Sequence, residues 1–91
     1  MLVVTHTIGG GPLQTSDFTI HISGNHQSPD TFPASETGVT VTLGWGSYEV
    51  TESTPNPSVG FPYSTSYSKD CSGVIHPDET KQCTVTNVFT G

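Results

Sequence analysis

The sequence predicts an all-β fold, a sandwich of two sheets built from seven short strands. Apolar residues recur with period two rather than with the 3.6-residue period of a helix. Gly and Pro punctuate the chain at short intervals, with 10 and 7 copies in 91 residues. The apolar share is only 31%, and much of it is β-branched and collected in short runs, which suits half-buried strands joined by turns. A chain of this length forms one domain, residues 1–91, and buries roughly 60–65% of its unfolded surface, so covalent fastening would help it.

The elements follow in order. Leu2 to Ile8 is a strand with Leu2, Val4, His6 and Ile8 on one face, ended by Gly9, Gly10, Gly11 and Pro12. Asp17 to Ser23 turns Phe18, Ile20 and Ile22 inward and Thr19 and His21 outward. Gly24 to Ala34 is a polar, extended connection that covers a sheet edge, from which Phe32 plugs the core. Gly38 to Leu43 aligns Val39, Val41 and Leu43. After the turn at Gly44, Trp45 and Gly46, the run Ser47 to Ser53 returns with Tyr48, Val50 and Glu52 in phase, and the two runs are expected to form a hairpin. The loop Thr54 to Pro62 is too rich in Pro for a central strand. Tyr63 to Cys71 is the sixth strand. A cysteine-bracketed turn then delivers the seventh, Lys81 to Phe89, in which Cys83, Val85, Asn87 and Phe89 share a face. Asn87 is the anomaly in that row.

Charge excludes several functions. Eight Asp and Glu stand against two Lys and no Arg, a net charge of −6. Binding to nucleic acid requires clustered cations, as does attraction to an anionic membrane, and no stretch approaches the roughly 20 apolar residues of a membrane span. The N-terminus lacks the charged start and long apolar stretch of a signal peptide, so the chain is expected to be a domain excised from a larger protein. Cys71 and Cys83 lack the C-x-x-C spacing of metal or redox sites. A disulfide is favoured, and with it an oxidising, extracellular compartment. The histidines His6, His21, His26 and His76 are scattered over four segments and predict no metal site. No nucleophile elbow, P-loop or zincin motif occurs. The expectation is a protein that is not an enzyme and holds no cofactor.

The series DFTIHISG, GVTVTLGWGSYEVTES and YSTSYSKDCSGVIHPDETKQCTVTN resembles the prealbumin-like surface domains, the CnaB-type or SpaA-like group of adhesins and pilus proteins. The resemblance runs from Leu2 to Asn87, and GSYEVTE, CSG and CTVTN are its most specific parts. It implies a reversed immunoglobulin-like sandwich serving as a stalk, spacer or filament module at the cell surface, with neighbouring domains as partners. Many such domains cross-link a lysine of the first strand to an asparagine of the last, beside a buried carboxylate that shuttles protons. Those positions fall on His6, Asn87 and Glu52. A histidine ring forms no stable amide of that kind, and neither Lys69 nor Lys81 lies on the first strand. The expectation is therefore a degenerate, unlinked site whose covalent fastening has passed to Cys71 and Cys83.

The remaining candidates are aromatic. Trp45 sits between two glycines at a turn, and with Phe61 and Tyr63 it would form a surface for a glycan or host protein, which is the alternative function. The competing expectation, favoured because large apolar residues are few, is that Trp45 folds back to cap one end of the sandwich.

Overall fold

Alternation decides the strands, and the position of each glycine and proline decides where they stop. The computed structural model describes residues 1–11, 13–53, 63–76 and 78–90. Its strands are β1 (Leu2–Gly9), β2 (Thr19–Ser23), β3 (Thr31–Pro33), β4 (Val39–Val41), β5 (Gly46–Ser53), β6 (Tyr63–Tyr67), β7 (Ser72–Ile75) and β8 (Lys81–Phe89). They form two four-stranded sheets, ordered β4-β1-β8-β6 and β3-β2-β5-β7. The all-β sandwich is as expected, with eight described strands rather than seven.

The inward rows fill the space between the sheets. Leu2, Val4, Val41, Cys83 and Val85 from the first sheet meet Phe18, Ile20, Ile22, Tyr48, Val50 and Ile75 from the second and its approaches. Phe32 is buried from the edge strand β3, as expected of a plug. Pro33 is tolerated there because β3 has a neighbour on one side only. Ahead of β2, the chain makes a short 3₁₀ turn, Thr15–Asp17, in which Asp17 accepts from the Gln14 N–H at 2.8 Å. That turn removes Asp17 from the predicted strand.

Two connections differ from the sequence-based expectation. β4 and β5 do not form a hairpin. β4 pairs antiparallel with β1 through Leu2↔Val41 to Val4↔Val39, whereas β5 pairs with β2 and β7 in the other sheet. The intervening turn is drawn across by Asn25, whose carbonyl accepts from Gly44 N at 2.8 Å and whose side-chain amide donates to the Trp45 carbonyl at 2.9 Å. The run Tyr63 to Cys71 likewise does not continue as one strand. It leaves the first sheet after Tyr67, makes a 3₁₀ turn over Lys69–Cys71, and enters the second sheet as β7, opposite Gly46 to Glu49 of β5. The segment between the cysteines is therefore a crossover between sheets and not a hairpin.

One pairing positions everything that follows. β1 and β8 lie side by side and parallel, in register from Leu2↔Lys81 to Gly9↔Val88. The molecule measures 41 × 21 × 18 Å.

Candidate functional site

Parity brings one polar side chain from each of three strands into the apolar interior. His6 on β1 and Asn87 on β8 are wholly buried, and the Glu52 side chain reaches them from β5 across the sandwich with 1% exposure. The amide oxygen Asn87 Oδ1 can only accept, so His6 Nε2–H is the donor. It is shared between Glu52 Oε2 at 2.8 Å and Asn87 Oδ1 at 2.5 Å. The Asn87 amide then donates to Glu52 Oε1 at 3.0 Å and to Thr65 Oγ1 on β6 at 2.7 Å. Glu52 thus accepts through both oxygens, as a buried carboxylate requires. His6 Nδ1 is buried and, among the described residues, has no hydrogen-bond partner. The imidazole stacks on Phe18, centroids 5.1 Å apart.

The three residues expected to form a degenerate cross-link site therefore converge. Their chemistry is non-covalent, since imidazole offers no primary amine to displace the ammonia of Asn87. The arrangement clasps the two sheets together and holds β1, β8 and β6 in common. Thr65 is a fourth member that sequence reasoning missed as a partner. Its one signal was its phase with Tyr63, whose ring packs edge-on against Phe18 at 5.9 Å.

Cys71 and Cys83 form the expected disulfide, tying the 3₁₀ crossover to β8. The same crossover is fixed by Ser68, which donates its N–H to Thr84 O at 3.0 Å and accepts Thr84 N–H on its hydroxyl at 2.9 Å. Tyr48 spans the same region, its hydroxyl donating to Asp70 O at 2.5 Å. Burial, and then the charges of Asp70 and Glu79, push the Tyr48 phenol above its ordinary range. Burial also raises Tyr67, whose hydroxyl meets the backbone of Glu52.

The aromatic candidates separate. Tyr63 is only 6% exposed. Its hydroxyl accepts from Leu13 N at 3.0 Å and its ring packs on Phe18 and Phe89, so it is a core residue and not part of a docking surface. Phe61 lies outside the described residues. Trp45 does not fold back over the core; it is 66% exposed, its ring stacked on His76 with centroids 5.9 Å apart. Economy of apolar residues is overridden there by the turn, which points the side chain away from the sandwich. Among the described residues, no group of three or more His, Cys, Asp or Glu is placed to hold a metal, and no helix is long and apolar enough to cross a membrane.

Compared with known proteins, the chain matches no family model, and no curated protein or solved structure matches it significantly.

Proposed function

We propose that this chain is a non-catalytic structural module, a stalk repeat or filament unit of a prokaryotic surface protein, with a reversed immunoglobulin-like, CnaB-type fold. The observation that carries the reading is the parallel pairing of β1 with β8. Because these strands run the same way, β1 starts at one pole and β8 finishes at the other. Tension applied through the two ends loads their ladder in shear, so the hydrogen bonds resist together instead of parting one by one. The clasp of His6, Glu52 and Asn87 lies across the same two strands, and the disulfide anchors β8 to the crossover behind it. The residue-for-residue resemblance at Glu52 and Asn87, with His6 in the lysine position, supports the same family, and the disulfide supports an oxidising, extracellular setting.

Pulling geometry tests this. Thr80 sits beside Met1, since the Lys81 N–H donates to Met1 O at 2.9 Å. Force applied through residues 1 and 90 shears β1 from β8, whereas force through residues 1 and 80 unzips the same pair. In single-molecule stretching the first geometry is expected to rupture at a severalfold higher force. Equal forces in the two geometries would remove the mechanical reading.

A further inference from the structure

We propose that the outer face of the second sheet carries a binding site for a neutral saccharide, with Trp45 as the stacking platform and Ser47, Glu49 and Ser23 as the polar grip. This is independent of the mechanical role, which makes no use of that face.

Trp45 is the only tryptophan in the chain, and a domain so short of apolar residues leaves its largest one 66% exposed. The side chain is held rather than loose. Asn25 fixes the backbone on both sides of it, through Gly44 N and the Trp45 carbonyl. Gly46 takes a φ of +141°, and a Cβ there would strike the Asn25 amide. The underlying His76 is fixed as well: its N–H donates to Glu79 Oε1 and its carbonyl accepts Glu79 N–H, both at 3.0 Å. An aromatic plate anchored before any ligand arrives loses little freedom on binding.

A second feature lies on the residues of β5 that follow Trp45. Beyond Ser23 the β2–β5 pair opens into a cleft of about 210 Å³ lined by Ser23, Ser47, Tyr48 and Glu49. Ser23 and Glu49 are direct cross-strand partners, and all three polar side chains are exposed on the outward face. Past Trp45 in the turn, Ser47 and Glu49 occupy alternate positions of β5, about 7 Å apart along the strand. A sugar whose C–H face lies on the indole, meeting the negative ring face with weakly positive hydrogens, brings its neighbour's hydroxyls over two serines and a carboxylate. The serine hydroxyls donate and accept, and Glu49 accepts only, a mixture that suits vicinal hydroxyls. An acidic ligand would meet Glu49 on a chain of net charge −6, so the saccharide is a neutral one.

The indole fluorescence and the single indole N–H resonance report on the site directly. The intact chain is titrated with neutral gluco-, galacto- and manno-configured tetrasaccharides, and separately with an arginine-rich peptide as a cationic competitor. A saturable indole shift with at least one sugar is expected, weakened about tenfold by Glu49→Ala or Ser47→Ala. Calorimetry on Trp45→Ala is expected to show no binding, with thermal unfolding close to that of the parent because the side chain lies outside the core. No indole shift with any sugar up to about 10 mM, a shift with the peptide alone, or sugar binding that survives Trp45→Ala would each overturn the assignment.

Discussion

Glu52 accepts from both His6 and Asn87, one through each oxygen, so it joins the other two members of the clasp to β5. Replacing Glu52 by Ala removes one of the two acceptors of His6 Nε2–H and the acceptor of one Asn87 N–H, and leaves that Asn87 donor stranded in the interior. The loss is expected to be about 2 kcal/mol, as for leaving a buried donor unsatisfied, read from urea unfolding. His6→Lys asks a different question, whether the reactive geometry of the resembled family persists. If it does, the variant is expected to lose the mass of one ammonia as the introduced amine forms an amide with Asn87; an unchanged mass means that the alignment is gone. His6 and Asn87 were legible because each interrupts an otherwise apolar row, and the resemblance joined Glu52 to them. The fate of Trp45 was not legible, because it is set by Asn25, 20 residues away, and no local pattern announces that hydrogen bond.

At the scale of elements, β1, β2, β5 and β8 were readable because alternation over about five or more residues fixes both the strand and its face. β3, β4 and β7 have only three or four residues each, and their sheet membership is decided by tertiary pairing. The expected hairpin of β4 with β5 failed for that reason: a turn sequence shows that the chain bends but not which sheet receives it. The disulfide gains meaning from the correction. It closes a segment with its ends 12 positions apart that visits the opposite sheet and returns. The double substitution Cys71→Ser with Cys83→Ser is expected to cost about 3 kcal/mol in the loop-entropy estimate, measured as a lowered urea midpoint. The fold is expected to survive, because Ser68, Thr84 and Tyr48 still hold the crossover. Lys81 adds a smaller safeguard, donating to Val74 O at 2.9 Å and so covering a carbonyl of the edge strand β7 that would otherwise invite pairing.

For the whole molecule, the sandwich was legible from composition and spacing, while the order of strands within each sheet was not. The adjacency of β1 and β8 joins the two ends of the chain, and only completed packing selects it. That adjacency also sets a timetable. During synthesis β8 emerges after β1, on the order of ten seconds later at ordinary ribosomal rates. Until then the middle of the first sheet stands open, with the acceptors of His6 incomplete and Cys71 without its partner. Long-range pairings of this kind slow folding because loop closure must precede any reward. The second sheet contains no part of β8, so its pairings can form first, and the nine-residue β8 then closes the first sheet between β1 and β6.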